Sequence, residues 1–537
     1  EILSDKKQAT NDKKMLTTED LQKIEARMKE LIKENQKFVG KKVSKITAKK
    51  LFKNSPYKLK IIKELPGKTV GTYQNGNFLD LCRGGHVTNT KEIDPNSFKL
   101  VKIAGAYWRG DEKNKMLTRI YGVAFETEKE LQEYLKMQEE AEKRDHKIIG
   151  PQLEIFMFHP TAPGMPYWLP KGVIVLNELI SFWREEHKKD YKEIISPILN
   201  KKELYITSGH YEHYWNEMFV AKTPEKEEYG VKAMNCPNAM IVFGSKLRSY
   251  KDLPLRFSDT DPLHRYERSG VLNALLRTRN FRQDDAHCFI TEEQIGTEYE
   301  NIFKIVERFY SIFDIKYEYR LGTRPKEFLG DKKTWDKAED TLKNILQKSD
   351  KKYHENKEDG AFYGPKVDIV VKDAIGRPWQ MGTIQLDFQQ PRKFNLEYTD
   401  IDGKKKTPVV VHRVIYGSLE RFIGFLIEHY AGAFPLWLSP VQVSVIPISE
   451  KHLEYAEKIK KQLETEKIRV ELMDENETLG KKIREAEMQK IPYLLIWGDK
   501  EIESGNVSVR QRGKRDLGPM KLEDFIEKIK EEIVKKL

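Results

Sequence analysis

Residues 264–287 read HRYERSGVLNALLRTRNFRQDDAH and form two charged segments joined by a Ser-Gly-containing loop. Arg265, Glu267, Arg277 and Arg279 lie on these segments. Arginine forks match phosphate oxygens, and a nearby carboxylate can accept a hydrogen bond from an adenine amino group. Because the chain has neither a GxxxxGK[ST] loop nor a strand-bound GxGxxG, bound nucleotide would need side-chain cations of this kind. On these residues alone, a solvated basic loop without a ligand is the alternative.

The composition of the whole chain is that of a globular protein with a very polar surface. Of 537 residues, 39% are hydrophobic and 33% charged, and the length predicts three or four domains. No apolar run reaches the roughly 18 residues of a membrane span, and the opening EILSDKKQATNDKK lacks the apolar core of a secretory signal. The net charge of +11 favours a polyanionic partner such as nucleic acid, although a merely lysine-rich surface is the alternative.

The cysteines are few and far apart, which argues against a disulfide framework. Cys82, Cys236 and Cys288 are the three in the chain, and this usage predicts a reducing compartment, the cytoplasm. Each is a candidate buried thiol, nucleophile or metal ligand.

Patterns along the chain predict several bodies. Residues 17–35 have helical spacing after a threonine cap, residues 40–125 are β-rich, and Glu128 to Ile149 predict a charged spacer helix or a solvated helix at a domain edge. After residue 440, strands and helices alternate, which predicts a small α/β domain with a largely parallel sheet. The predicted divisions are residues 1–126, 127–149, 150–438 and 439–537.

Several motifs in one order resemble class II aminoacyl-tRNA synthetases of the threonyl family. Residues 264–287 are similar to motif 2, GSLERFIG (417–424) to motif 3, and VLNELISFWREEHKKDYKEIISP (175–197) to motif 1. VKAMNCPN, GAFYGPKVD, QMGTIQLDF and VVVHRVIYGS match the threonyl family further, and the resemblance runs from about residue 17 to the end. It implies an α/β and α+β multidomain protein: an α+β editing-like N-terminal domain, a catalytic domain built on an antiparallel sheet, and a C-terminal α/β anticodon-binding domain.

The resemblance implies an ATP site made of arginines. Arg265 is expected at the α-phosphate, Glu267 at the adenine, Arg277 and Arg421 at the terminal phosphates, and Phe281 as the stacking platform for the adenine ring. Catalysis would then be positioning and charge neutralisation, with Mg²⁺ on the phosphates and no side-chain nucleophile. Arg265 and Arg421, with Lys366, are the expected catalytic residues.

The resemblance also implies a zinc ion that reads threonine. Cys236, His287 and His412 stand at the family's zinc-ligand positions, although their spacing forms no local metal motif. Three protein ligands leave one coordination position open, and a metal that demands a hydroxyl rejects valine where an apolar pocket would not. The expected further contacts to threonine are Met234, Asp285, Tyr363, Lys366 and Gln385; Cys288 is interpreted as a buried thiol.

The N-terminal part resembles half of an editing centre for seryl-tRNA. DLCRGGH (80–86) supplies Asp80, Cys82 and His86, and Lys58 lies upstream. No histidine precedes His86, so the family's upstream HxxxH is missing, as is the ubiquitin-like domain. Truncation of the chain and loss of editing both explain this, and truncation is the favoured hypothesis.

The C-terminal domain resembles an anticodon reader. Asn476, Arg484, Glu501 and Arg510 are the expected contacts, and Lys490 suits a phosphate better than a base. A surface of charged helices is the alternative without the family match.

The leading hypothesis is therefore a threonine–tRNA ligase that uses ATP, L-threonine and tRNA(Thr), a homodimer through motif 1. A catalytically silent RNA-binding relative should have lost motif arginines or zinc ligands, and all are in place. A ligase for serine or proline is disfavoured by the Cys236, His287 and His412 trio.

Overall fold

The computed structural model describes residues 2–3, 16–111, 113–373, 376–513 and 516–536. Most of the opening stretch that carries no secretory pattern lies outside these residues, as does the beginning of the predicted 1–126 domain. The chain divides into two compact units between Glu139 and Glu140.

The first unit contains two small antiparallel sheets. Its strands are β1 (Ile2–Leu3), β2 (Phe38–Ser44), β3 (Thr69–Asn75), β4 (Phe78–Leu81), β5 (Phe98–Tyr107) and β6 (Met116–Ala124). Its helices are α1 (Thr18–Lys33), α2 (Lys45–Leu51) and α3 (Pro56–Glu64), and α4 (Glu128–Lys143) begins in it. The sheet orders are β1-β6-β5 and β2-β3-β4.

The helix predicted for residues 17–35 is confirmed as α1. The backbone N–H of Thr17 donates to the Asp20 carboxylate at 2.8 Å, which satisfies an amide at the beginning of the helix. Leu21 and Ile32 are its buried residues.

The prediction of one continuous helix from Glu128 to Ile149 is wrong. The structure has α4 followed by a separate helix, α5 (His146–Gln152). Asp145 causes the break, because its side chain accepts the N–H of Lys147 at 2.9 Å and caps a new helix. The charge pattern of the segment contains both helices but hides this cap.

The second unit is built on an eight-stranded sheet with the order β18-β17-β19-β20-β23-β16-β13-β9. The strands up to residue 438 are β7 (Phe156–Met157), β8 (Tyr167–Trp168), β9 (Lys192–Glu193), β10 (Leu199–Lys201), β11 (Val220–Lys222), β12 (Glu228–Val231), β13 (Leu255–Asp259), β14 (Pro262–His264), β15 (Asn280–Arg282), β16 (Asp285–Ile290), β17 (Tyr317–Gly322), β18 (Tyr353–Asn356), β19 (Lys366–Lys372), β20 (Pro378–Asp387), β21 (Tyr398–Thr399), β22 (Lys405–Lys406) and β23 (Val409–Val414). The helices are α6 (Pro170–His187), α7 (Lys202–Ser208), α8 (His210–Tyr214), α9 (Cys236–Gly244), α10 (Ile295–Ser311), α11 (Lys332–Lys348), α12 (Gln390–Lys393) and α13 (Leu419–Tyr430).

The middle of this sheet is antiparallel, as the resemblance implies. Each pair of spatial neighbours in the order β19-β20-β23-β16-β13 is antiparallel. Among the described residues, parallel pairs occur only at the two edges of the sheet. Helices α6, α10, α11 and α13 contribute to the core packed with it. Every residue of β16 is buried, so its polar side chains must find partners inside the protein.

The C-terminal part forms a five-stranded sheet, β25-β24-β26-β27-β28. Its elements are β24 (Val443–Pro447), α14 (Leu453–Thr465), β25 (Val470–Leu472), α15 (Leu479–Met488), β26 (Tyr493–Trp497), α16 (Asp499–Ser504), β27 (Asn506–Gln511), β28 (Asp516–Lys521) and α17 (Leu522–Val534).

The expectation of a largely parallel sheet holds only for β24, β25 and β26. Strands β27 and β28 are antiparallel additions. The connection before β27 spans residues 498–505, shorter than the dozen or so residues of a parallel crossover. Among the described residues, no helix is long and apolar enough to cross a membrane.

Candidate active site

Three side chains that are distant in sequence meet on the central sheet. Cys236 begins α9, His287 lies on β16, and His412 lies opposite it on β23. All three are buried, the imidazole centroids are 4.9 Å apart, and their candidate ligand atoms all lie within 4.8 Å of one another. The antiparallel register therefore creates a cluster that the spacing in sequence did not predict.

The protonation of this cluster suits a metal. Burial, and then the neighbouring His412, lowers the pKa of His287 well below its usual value, so its imidazole is neutral and keeps a lone pair. Burial raises the pKa of the Cys236 thiol, and a bound cation would favour the thiolate instead. One sulfur and two imidazole nitrogens form a donor set typical of zinc, with one position left for a substrate.

The cluster faces a cavity of about 240 Å³. Besides the three candidate ligands, its walls are Met234, Arg265, Gln283, Asp285, Tyr363, Gln380, Thr383, Gln385, Arg413 and Val414. Four of the five residues expected at threonine, all except Lys366, therefore lie beside the metal cluster.

The polar groups of this cavity are arranged in pairs. The Tyr363 hydroxyl donates to Gln385 Oε1 at 2.5 Å, and Asn235 Nδ2 donates to the Asp285 carboxylate at 3.1 Å. Burial raises the pKa of Asp285 to about 7, and the facing Asp259 adds to the effect. A cationic amino group would therefore find a carboxylate with few competing partners.

Arg265, the residue expected at the α-phosphate, lines the same cavity. Its Nε donates to the Ala233 carbonyl at 3.1 Å, and its guanidinium lies over the Phe281 ring at 5.0 Å and the Tyr214 ring at 5.7 Å. Phe281, the expected adenine platform, is only 7% exposed and already packs against this arginine. Tyr214 is a neighbour of Arg265 that the sequence did not indicate.

Arg421 is held near the arginines of motif 2. Its guanidinium donates to the carbonyls of Leu276 at 3.0 Å and Gln380 at 2.9 Å. Burial lowers the pKa of Arg421, and the positive charges of Arg277 and Arg265 lower it further. A bound anion would offset this repulsion.

Glu267 and Arg277 form an ion pair with a shortest N–O distance of 2.9 Å. Both residues are therefore engaged with each other in this structure, although they are expected at opposite ends of ATP. Arg279 differs from them: it donates to the backbone oxygens of Glu267 at 2.8 Å and Pro163 at 3.2 Å. That bonding is typical of a residue that stabilises a loop.

Lys366 does not line the cavity. Its ammonium pairs with Asp368 at 3.1 Å and Asp359 at 3.3 Å. Asp368 also accepts hydrogen bonds from Gln380 and Thr383, two cavity residues that sequence reasoning missed. Both belong to the QMGTIQLDF segment on β20, in which the family resemblance implies only Gln385 as a contact to threonine.

In the first unit, the four expected editing residues form two pairs. Lys58 Nζ lies 2.7 Å from Asp80 Oδ1, and Cys82 Sγ lies 3.0 Å from His86 Nε2. The His86 ring stacks on Phe38 with a centroid distance of 5.0 Å. The thiol–imidazole contact has the geometry of a nucleophile beside a base.

The expected anticodon residues differ in exposure. Asn476 and Arg484 are exposed, whereas Glu501 and Arg510 are half-buried. Glu501 accepts the N–H of Gly498 at 2.9 Å, and Arg510 lies 3.7 Å from Asp516. Lys490 is exposed in the left-handed region, with φ of 58°.

Comparisons with protein families match three parts of the chain. The tRNA synthetase class II core domain (G, H, P, S and T) matches residues 214–430. The anticodon binding domain matches residues 442–532, and the threonyl and alanyl tRNA synthetase second additional domain matches residues 70–121.

Curated relatives and solved structures agree with these matches. A threonine–tRNA ligase of Caldanaerobacter subterraneus is 51% identical over 524 residues, which cover 97% of this chain and 81% of that protein. One from Thermotoga maritima is 50% identical over 521 residues, with the same coverages of 97% and 81%. A structure described as the RNA binding domain of threonyl-tRNA synthetase from Cryptosporidium parvum has a TM-score of 0.70 at 39% identity, covering 72% of this chain and 98% of that one. A putative threonyl-tRNA synthetase from Aeropyrum pernix has a TM-score of 0.64 at 26% identity, covering 73% and 96%.

Proposed function

This chain belongs to the threonine–tRNA ligases of class II, and from that premise we propose which residues carry out its reaction. The enzyme activates threonine with ATP and charges tRNA. In the first step, a carboxylate oxygen of threonine attacks the α-phosphorus of ATP and pyrophosphate leaves. In the second, a hydroxyl of the terminal ribose of tRNA attacks the carbonyl of the adenylate and AMP leaves.

Charge neutralisation by arginines carries the first step in our proposal. Arg265 holds the α-phosphate and stabilises the negative charge that develops there, while Arg277 and Arg421 hold the terminal phosphates. Glu267 reaches the adenine amino group once ATP separates it from Arg277, and Phe281 supports the adenine ring. Mg²⁺, when bound with ATP, would add positive charge on the phosphates to that of these arginines. This assignment is supported by the pKa of Arg421, which burial lowers and which the charges of Arg277 and Arg265 lower further.

Threonine is proposed to bind at the cavity's metal cluster. Cys236, His287 and His412 would hold a zinc ion, which when bound supplies coordination positions for the amino and hydroxyl groups of threonine. Asp285 balances the charge of the amino group. The Tyr363–Gln385 pair and Met234 complete the pocket around the side chain. Lys366 does not contact threonine directly in this proposal. Its ammonium pairs with Asp368, so it acts through that carboxylate.

The observation that carries this proposal is the convergence of a sulfur–nitrogen–nitrogen cluster with Arg265 in one cavity. The test is ATP–pyrophosphate exchange with threonine, valine and serine, run with and without verified removal of zinc. We expect zinc-dependent exchange with threonine and serine but not with valine. Strong exchange with valine, or full threonine activity without zinc, contradicts the proposal.

Two buried cysteines provide a matched comparison for this test. Cys236→Ala should lose bound zinc and threonine-dependent exchange. Cys288→Ala should keep both, because Cys288 lies one residue from His287 but outside the cluster. Equal losses in the two variants would indicate a general packing defect rather than a metal site.

The C-terminal domain, proposed as residues 439–537, is assigned to recognition of the tRNA anticodon. Asn476 and Arg484 are exposed enough to contact bases, and Glu501 and Arg510 lie on neighbouring elements. Lys490 would meet a phosphate. Replacing Arg484 by Ala should raise the KM for tRNA(Thr) and leave pyrophosphate exchange unchanged.

We further propose a homodimer that forms through motif 1 and acts in the cytoplasm. Ile195, near the end of motif 1, is 84% exposed and Leu199, two residues beyond it, is 53% exposed, so the end of this motif presents apolar side chains to solvent. The three cysteines are free thiols, which suits a reducing compartment. Sedimentation of the wild type and of Ile195→Glu tests the dimer, and a monomeric wild type contradicts it.

Hydrolysis of seryl-tRNA is the second candidate function, since zinc coordination of a hydroxyl does not reject serine. The contact between Cys82 and His86 supports it, with Lys58 and Asp80 as neighbouring polar groups. We propose residues 1–126 as the corresponding domain, residues 127–149 as the linker and residues 150–438 as the catalytic domain. Seryl-tRNA deacylation by this chain, against Cys82→Ala, tests the activity.

A further inference from the structure

Two fully buried carboxylates lie outside the cavity, on the segments that carry the ATP-site arginines. Asp284 belongs to motif 2 and is 0% exposed, and Glu420 belongs to motif 3 and is 2% exposed. Neither is expected to contact a substrate. Buried carboxylates are costly unless hydrogen bonds compensate them, so their partners indicate what they do.

Asp284 binds the backbone of the turn that leads into motif 3. Its two oxygens accept the N–H of Ile415 at 2.9 and 3.1 Å, and one also accepts the N–H of Gly417 at 3.1 Å. Gly417 has φ of 79°, and a Cβ there would lie 2.1 Å from the Met381 carbonyl oxygen. This turn is therefore tight, and a side chain of motif 2 satisfies its amides.

Glu420 makes the reverse connection. Its carboxylate accepts the backbone N–H of Arg282 in motif 2 at 2.8 Å and the Ser418 hydroxyl at 3.4 Å. Ser418 in turn accepts the N–H of Arg421 at 3.0 Å, which caps α13, and it pairs with Gln283 in a β-bridge. Each motif thus contributes a buried carboxylate that holds the backbone of the other.

These connections between motif 2 and motif 3 set the relative positions of the arginines at the proposed ATP site. Arg265 and Arg277 come from motif 2, whereas Arg421 follows Glu420 directly in motif 3. Burial lowers the pKa of Arg421 most, and the charges of Arg277 and Arg265 lower it further, so these like charges oppose the convergence. The two carboxylates connect the backbones behind these three arginines, and Asp284 Oδ2 also lies 3.8 Å from the guanidinium of Arg413, another residue of the cavity.

We propose that Asp284 and Glu420 are positioning residues that fix Arg421 relative to Arg265 and Arg277, so that all three meet one ATP molecule. This inference rests on the proposed ATP site and adds the residues that assemble it. A purely structural role would lower stability and leave the affinity for ATP unchanged in the folded enzyme. A positioning role raises the KM for ATP selectively, because the geometry of the phosphate contacts is lost.

The test compares variants of Glu420 in pyrophosphate exchange, below their unfolding midpoints. Glu420→Met keeps the volume but removes the acceptor, and we expect the KM for ATP to rise about tenfold or more with the KM for threonine changed less than about twofold. Glu420→Gln keeps an acceptor oxygen and should restore the KM for ATP to within about threefold of wild type. If Glu420→Met does not fold, Glu420→Asp keeps the carboxyl group, shortens its reach to Arg282 and should give an intermediate rise.

Glu428 supplies the matched control. It lies two turns further along α13, and its carboxylate lies 2.7 Å from His146 Nδ1 instead of accepting from the backbone of motif 2. Glu428→Met should lower the unfolding midpoint without changing either KM. An unchanged KM for ATP in Glu420→Met overturns the inference, as does an equal rise in both KM values.

Calorimetric binding of MgATP to the same proteins separates this inference from the proposed function. If the wild type fails to exchange with threonine, the proposed function is contradicted. The ratio of ATP affinities between Glu420→Met and wild type still tests the positioning role, and a ratio near one overturns it.

Discussion

His412 Nε2 lies 2.9 Å from the carboxylate of Asp387, and both side chains are buried. The other oxygen of Asp387 accepts the backbone N–H groups of Gln389 and Gln390 at 2.7 and 3.0 Å, which fixes the carboxylate opposite the imidazole. We infer that Nε2 of His412 donates to this carboxylate and that Nδ1 is the nitrogen available to a metal. This is the orientation by a neighbouring carboxylate that metal-binding histidines usually have.

The first prediction follows from this bond. Asp387→Asn presents an amide donor to Nε2 and favours the tautomer with a proton on Nδ1, so zinc affinity should fall roughly 10- to 100-fold. Competition with a chelator, followed by measurement of retained zinc, reads this out. Asp331→Asn, an exposed cap of α11, is the control and should retain zinc as the wild type does. Undiminished affinity in Asp387→Asn would mean that the bond does not set the tautomer.

The second prediction concerns the hydroxyl of Tyr363 in the substrate cavity. Tyr363→Phe removes the hydrogen bond to Gln385, so the amide is free to turn and the KM for threonine should rise roughly two- to tenfold. The KM for ATP should not change. Tyr299→Phe is a suitable control, because the Tyr299 hydroxyl is buried and has no hydrogen-bond partner in the part of the chain that the structure describes. A rise in the KM for ATP alone would place Tyr363 in a different role.

The sequence predicted the elements better than their connections. The metal cluster was predictable from the family motifs, but spacing could not show it, because His287 and His412 meet only through strand register. The ion pairs of Lys366 and the bond between Asp387 and His412 depend on side chains from other strands, which no local pattern reveals. The two antiparallel strands at the C-terminus were likewise hidden, since connection length, not hydrophobic pattern, sets their direction.

The third prediction tests whether Arg421 acts by its shape or only by its charge. Its guanidinium binds two backbone carbonyls at once, those of Leu276 and Gln380, and a lysine ammonium cannot reproduce that planar arrangement. Arg421→Lys should therefore raise the KM for ATP and lower kcat for exchange by at least about tenfold. Arg308→Lys, in an exposed pair with Glu186, should leave both unchanged. Near wild-type exchange by Arg421→Lys would show that charge alone suffices.

The last prediction concerns pH, and it follows from the burial of Glu420. Burial raises the pKa of this carboxyl from 4.5 to about 7, so the folded protein holds a proton that the unfolded chain releases. The resulting stability is fully present below pH 4.5 and is lost as the pH rises through 7. Glu420→Gln cannot ionise, so its unfolding free energy relative to wild type should increase between pH 5 and pH 8, by on the order of 3 kcal/mol at most. Thermal unfolding at a series of pH values measures this difference. Parallel profiles for Glu420→Gln and wild type would show that Glu420 is ionised at the same pH in the folded and unfolded states.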